Sequence, residues 1–291
     1  KRQVGGGSAL DTAKAAALLL AHGGSYDEYP WEGRELTERS HPLVAVPTTS
    51  GTGSEVSRVA VISDPGQPFK KGVLSPLMFA HAAVIDPAAT LGLPPHLTAA
   101  TGIDALVHAL EAYTGLRANP MSDLFAIESL RLSVGGLHDA TRHGDDFEAR
   151  TAMMRAAIYG GIAMDHAGLG LVHALSGGLC SHMHLHHGLA NAMILPYVVE
   201  FNASAIPSDR RRVLNRVFGL DETAGPTELV AVITEFVRTL DLPIGLADRR
   251  EETAQLDWGA IAAESMRMVM VHNNPRRVTV DDCRALLDAM A

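Results

Sequence analysis

The sequence predicts an α/β segment followed by an all-helical one. Three observations point there. Short apolar runs separated by turn residues fill the first 92 positions. Long helical patterns follow Leu93-Pro94-Pro95. The hydrophobic period changes at those prolines, from strand-like to helix-like. A chain of 291 residues is long enough for two domains, and the boundary is placed between residues 92 and 93.

The elements follow in order. Gly5-Gly6-Gly7 reads as a turn, with no room for a strand of usual length before it. Ser8 fits a helix N-cap, and Asp11 stands where a capping-box acid would. Ala9 to Ala21 is an Ala/Leu-rich helix stopped by Gly23-Gly24. Leu43 to Val46, before Pro47, reads as a buried strand. Val59 to Ser63 and Ala82 to Ile85 are further strands, closed by Asp64-Pro65-Gly66 and Asp86-Pro87. Beyond residue 93 the patterns predict helices over 97–113, 122–137, 147–164, 170–180 and 187–202, then 208–218, 226–240, 258–266 and 280–290. Arg210-Arg211-Arg212 reads as a solvated helix start.

Composition narrows the function classes. Hydrophobic residues make up 47% and charged residues 20%, the balance of a folding chain rather than a disordered one. A net charge of -9 with no basic stripe argues against nucleic acid as the partner. Two cysteines, Cys180 and Cys283, make no disulfide framework and fit a reducing compartment. No apolar run reaches the ~20 residues of a membrane span. The expectation is a cytoplasmic protein with neither membrane nor nucleic-acid partner.

Asp104 and His108 lie four apart in a helical stretch, so both side chains leave one face and can chelate one ion. His173 and His187 lie further on. Three imidazoles and a carboxylate suit a borderline ion such as Fe²⁺ or Zn²⁺. Spacing alone leaves each His open to a bland reading as a hydrogen-bonded core residue. It also does not choose among His182, His184, His186 and His187, which fit a solvent-facing loop equally well. Gly5-Gly6-Gly7-Ser8 opening a helix can present backbone amides to a phosphate, although tight turns use glycine too. Pro47 to Glu55 is rich in hydroxyls and glycines after a strand, allowing close approach of a polar ligand.

Taken together, these stretches resemble the iron-containing (group III) alcohol dehydrogenase family. The similarity runs through Gly5 to Lys14, Pro47 to Val56, Thr101 to Tyr113, Asn119 to Asp123, Gly168 to Ala174, His187 to Ala192 and Leu195 to Val198, and on to Asn274-Pro275-Arg276. The resemblance implies a partial dinucleotide-binding α/β domain (1–92) followed by an all-helical metal-binding and catalytic domain (93–291), the dehydroquinate synthase-like arrangement. It implies that Asp104, His108, His173 and His187 are the metal ligands and catalytic centre. It implies that Gly6, Gly7, Ser8, Thr48, Thr49 and Lys70 contact NAD or NADP, with Thr52 and Ser57 in the same loop and strand, and Asp11 near the nicotinamide or ribose. The implied reaction is hydride transfer between nicotinamide and a small alcohol or aldehyde whose oxygen meets the divalent ion (Fe²⁺ or Zn²⁺). A homo-oligomer, dimer or larger, is expected.

Two departures from the family pattern follow. The family's first strands, with the acidic residue that reads the adenosine ribose, would precede the position matched by Lys1, leaving NAD against NADP open. Many members carry another His four residues after the third ligand, where this chain has Gly177; His166, His182 or His186 are the candidates to replace it as proton relay. The alternatives are a maleylacetate reductase-like enzyme, which commonly lacks the full ligand set, and a catalytically incompetent metal-binding fragment.

Overall fold

The computed structural model describes residues 2–30, 33–63 and 70–291. A strand does precede the glycines: β1 (Arg2–Gly5) is four residues long and runs into α1 (Gly7–His22). It is legible only through its partner. β2 (Val44–Pro47) lies parallel to it in the register Arg2 to Val44 through Gly5 to Pro47, and β5 (Ala82–Ala83) pairs with the far side of β2. Helix α1 connects the parallel neighbours β1 and β2, as parallel pairing requires. β3 (Val59–Ser63) and β4 (Lys70–Leu74) form a separate antiparallel pair. The Lys70-Lys71-Gly72 start of β4 gave no strand signal, and the expected turn at Asp64-Pro65-Gly66 lies outside the described residues. A small core of Leu18, Tyr29, Ala60, Val73 and Met78 joins α1 to this pair.

The capping expectation for α1 is corrected. Gly6 is the N-cap and no side chain caps the helix. Ser8 therefore lies inside the first turn, where its carbonyl accepts from Thr12 Oγ1. Asp11 has other partners: its carboxylate accepts from Ser54 Oγ at 2.6 Å and from the Val61 N–H at 3.0 Å. A short acid one turn into a helix can reach across to a neighbouring strand, and here that contact displaces the local cap.

From Pro95 onward the described chain is helical. α2 (Pro95–Thr114) is buried along nearly its whole length, from Thr98 to Thr114. A helix buried on every side belongs in the middle of a domain, and its threonines comply by bonding back into their own helix, Thr101 to Leu97 and Thr114 to Leu110. α3 (Pro120–Arg142) and α4 (Phe147–Ala167) pack against α2. Asn119 caps α3 by accepting from the Met121 and Ser122 N–H groups, with Pro120 at the first helical position. α5 (Leu171–Met183) and α6 (His187–Asn202) complete the inner layer. α7 (Ser208–Val217), α8 (Pro226–Arg238), α9 (Arg250–Thr253), α10 (Trp258–Arg267) and α11 (Val280–Met290) surround it. α5 runs on past Cys180 because Gly177 and Gly178 are buried against Met268, Ile261 and Ser265, so packing outweighs their poor helix propensity. No described helix is long and apolar enough to cross a membrane.

Three joints fix the inner layer. A Cβ at Gly188 would collide with the Ala100 carbonyl, so only glycine lets the first turn of α6 rest on the α2 backbone. Gly53, at φ 59°, meets Gly161 of α4 backbone to backbone. Asn273 closes the corner between α4 and α5: its Nδ2 donates to the Ala167 and Leu169 carbonyls, each at 2.9 Å, while its Oδ1 accepts from the Arg117 N–H. Arg210 is not merely solvated. It makes a two-pronged pair with Asp123, each contact at 3.0 Å, and donates to the Tyr113 carbonyl, tying α7 to α2 and α3.

Candidate functional site

Asp104 and His108 project from one face of α2. His173 comes from the first turn of α5, and His187 is the first residue of α6. All four meet. Asp104 Oδ1 lies 3.5 Å from His108 Nε2, 3.5 Å from His173 Nε2 and 3.6 Å from His187 Nε2. Donors roughly 2.1 Å from one ion in a tetrahedron sit roughly 3.4 Å apart, so the spacing and the donor types fit a divalent ion such as Zn²⁺ or Fe²⁺. Donor atoms of Asp104, His108 and His173 fall within 4.8 Å of one another. Those three side chains are closed off, at 3–5% exposure, whereas His187 is 34% exposed. The cluster therefore has a dry back and one lip.

The four side chains are electrostatically coupled. Burial opposes charge on Asp104, but the imidazoles of His108, His187 and His173 outweigh it and hold the carboxyl well below the usual range. Burial pushes the His108 imidazole down, against the pull of Asp104. His173 is pushed up to about 9: burial lowers it, but the carboxylates of Glu111 and Asp104 override that cost. Asn191, one turn after His187, donates to Asp104 Oδ1 at 2.7 Å and lies 3.5 Å from both His173 Nε2 and His187 Nε2. Glu111 stands behind His173, with Oε2 at 2.6 Å from Nδ1.

The glycine turn and the hydroxyl-rich loop also come together. A Cβ on Gly6 would sit 3.1 Å from Thr49 Cγ2, and one on Gly7 2.5 Å from Thr52 Cγ2. The Thr48 N–H donates to the Gly5 carbonyl at 3.0 Å. Ser8 is exposed at the open start of α1. Ser57 is buried instead, where its carbonyl and hydroxyl accept from Lys14 Nζ. The side chain of Lys70 lies outside the described residues. The loop reaches the donor cluster directly: Gly51 abuts Thr101 of α2, and its backbone lies against the His108 ring.

The sequence pattern described as "Iron-containing alcohol dehydrogenase" matches residues 4–87, and that described as "Fe-containing alcohol dehydrogenase family, C-terminal" matches residues 98–291. The chain belongs to the iron-containing alcohol dehydrogenase family. It is 36% identical over 296 residues to a sulfoacetaldehyde reductase of Bilophila wadsworthia, covering 98% of this chain and 75% of that protein. It is 35% identical over 291 residues to an NAD-dependent methanol dehydrogenase of Bacillus methanolicus, with the same two coverages. The solved structure of a 1,3-propanediol oxidoreductase superposes with a TM-score of 0.92 at 31% identity, covering 100% of this chain and 76% of that one. The protein is accordingly an oxidoreductase acting on CH–OH groups.

At Gly177, where a relay imidazole was expected to be lacking, the neighbour is the Met268 thioether. A Cβ on Gly177 would lie 3.2 Å from Met268 Cε. Of the three substitute histidines, His166 bonds the Ile162 carbonyl of its own helix, His182 pairs with Glu264 at 2.8 Å, and His186 is the N-cap beside His187. Glu111 and Asn191 escaped the sequence reading. Helical spacing carries the signal for both, since Glu111 follows Asp104 by seven residues and Asn191 follows His187 by four.

Proposed function

We propose that this dehydrogenase interconverts a small alcohol and its aldehyde with NAD or NADP, using Asp104, His108, His173 and His187 to hold one divalent ion. The observation that carries the reading is that the Nε2 atoms of three imidazoles lie 3.5–3.6 Å from one carboxylate oxygen, Asp104 Oδ1. The ion supplies a Lewis acid for the alcohol or aldehyde oxygen. The chain's own residues do the rest. His108, His173 and Asp104 exclude water from the back of the site, and the half-open His187 marks the side from which substrate enters. The uncapped start of α1, with Gly6, Gly7 and Ser8, offers free N–H groups and a helix dipole to the dinucleotide phosphates. Thr48, Thr49 and Thr52 supply hydroxyls beside it, and the 47–57 loop carries the nicotinamide end toward His108. Asp11, engaged by Ser54 and Val61, shapes that loop. Lys70 is retained as a phosphate contact. Residues 1–92 thus act as the nucleotide half and residues 93–291 as the metal half, within a homo-oligomer of two or more chains.

The oxidation balances as alcohol plus NAD(P)⁺ giving aldehyde, NAD(P)H and a proton, with the hydride leaving the carbinol carbon. The test is turnover with C1 to C4 primary alcohols and their aldehydes, with each nucleotide, before and after chelator treatment. Activity should vanish on metal removal and return with Fe²⁺ or Zn²⁺ under anaerobic conditions. Full metal occupancy with no turnover on any of these substrates overturns the reading in favour of a metal-binding fragment.

A further inference from the structure

Glu111 takes no part in the four-donor cluster, yet its carboxylate faces three donors from α5. Oε2 accepts from the Gly170 N–H at 2.9 Å and lies 2.6 Å from His173 Nδ1, while Oε1 accepts from the Val172 N–H at 2.6 Å. Gly170 is the N-cap of α5 and has no side chain to close that end. A carboxylate from another helix therefore satisfies N–H groups that a helix start always leaves open. A Cβ on Gly170 would sit 3.0 Å from Glu111 Oε1, so the loop is shaped to admit the acid.

Capping explains two of the three contacts. It asks nothing of the imidazole. The contact with His173 is a separate arrangement: Nδ1–H donates to the carboxylate, so Nε2 is the ring nitrogen turned into the cluster, toward Asp104 Oδ1, and the one that would give up its proton to hold an ion. His108 and Asp104 lie three and seven residues before Glu111 on the same helix. One face of α2 thus supplies two donors of the cluster and the acid that orients a third.

We propose that Glu111 is the positioning residue of the metal centre. It fixes the tautomer and the rotation of His173, and it locks the start of α5 onto α2 so that the donor set is assembled before an ion arrives. The proposal rests on the metal-centre reading. Carboxylates placed behind a ligating imidazole typically govern metal affinity about 10–100-fold.

The test is a Co²⁺ titration of the metal-free protein against a competing chelator, following the visible bands of a four-coordinate cobalt site. The parent and Glu111→Gln are compared, with melting temperature and NADH binding as controls. The Gln variant should bind Co²⁺ about 10–100-fold more weakly, with displaced cobalt bands and unchanged NADH affinity. A lower melting temperature with cobalt affinity within about twofold of the parent overturns the proposal, because a helix cap alone behaves that way. Absence of cobalt binding in the parent instead removes the metal centre itself. Should the variant fail to fold, the parent decides: ¹⁵N–¹H spectra of the Zn²⁺-loaded protein should show His173 protonated at Nδ1. A proton on Nε2 there overturns the proposal without any substitution.

Discussion

The donor cluster and the glycine-threonine corner lie side by side, yet they are stabilised in different ways. At the cluster, side chains from three helices meet, and each is held by buried partners: His173 by Glu111, Asp104 by Asn191. At the corner, Gly6 and Gly7 fit against Thr49 and Thr52 through the absence of side chains, and the helix start above them has no cap. The first is complete without its ligand. The second has a helix start with no side-chain cap. An ion needs fixed donors at fixed spacing, whereas a long dinucleotide needs room and amides. The comparison predicts that each half can be damaged without harming the other.

Asp104→Ala gives the largest effect. It removes the only carboxylate of the cluster and leaves three imidazoles without their central partner. Metal content should fall to near zero, and kcat/KM should drop by about 10³ or more, as expected when a Lewis acid contributing several kcal/mol is lost. NADH affinity should stay within about twofold. A matching loss of NADH binding would mean that the halves are not separable.

Gly7→Val is the converse. Its added carbons collide with Thr52, which must move away from the start of α1. NADH should bind about tenfold or more weakly, corresponding to about 1.4 kcal/mol or more, while elemental analysis still finds the ion. Normal NADH affinity in this variant would remove the glycine turn from the nucleotide site.

The last effect touches neither metal nor nucleotide binding, only the corner's own stability. Lys14 is buried, with Nζ donating to the Ser57 and Val59 carbonyls at 2.7 and 2.9 Å. Burial pushes its amine from the ordinary 10.5 down to about 8, partly offset by Asp11, Glu55 and Asp165. The folded state therefore releases this proton at lower pH than the unfolded chain does. Between pH 8 and 10.5 the unfolded state binds more protons, so this group makes stability rise with pH. Lys14→Met should remove that rise, a difference of at most about 3 kcal/mol across the window. Urea midpoints of parent and variant at pH 8 and pH 10 measure it. A constant difference between them would exclude Lys14 as the titrating group.

The same contrast governs what the sequence disclosed. Helical period located the long helices of residues 95–290, which mostly bury a stripe or an entire surface, but not the four-residue α9. It also paired Asp104 with His108. It did not choose His187 over His182, His184 and His186, since that choice depends on Gly188 bringing one end of α6 onto Ala100. Glu111 was hidden by its surroundings: a Glu inside an apolar helix reads as an ordinary helix former until its partners in α5 are known. In the α/β half, β1 and β4 were missed because a four-residue strand and a Lys-Lys-Gly start carry little pattern of their own. Ser8 and Asp11 fitted a local cap, but the helix begins one residue earlier and Asp11 is recruited by Ser54 and Val61. Local rules failed where tertiary partners competed for the same side chain.

The Asn273 joint has a consequence for the order of events during synthesis. The loop before His173 is fastened by a side chain that emerges about a hundred residues later, after α10 has been made. A ribosome-bound chain halted before residue 273 would carry Asp104, His108, His173 and His187 already synthesised, with the α4–α5 corner still unlatched. Closure of the corner that carries His173 is in this sense a late event, waiting on a side chain made after all four of the clustered ones.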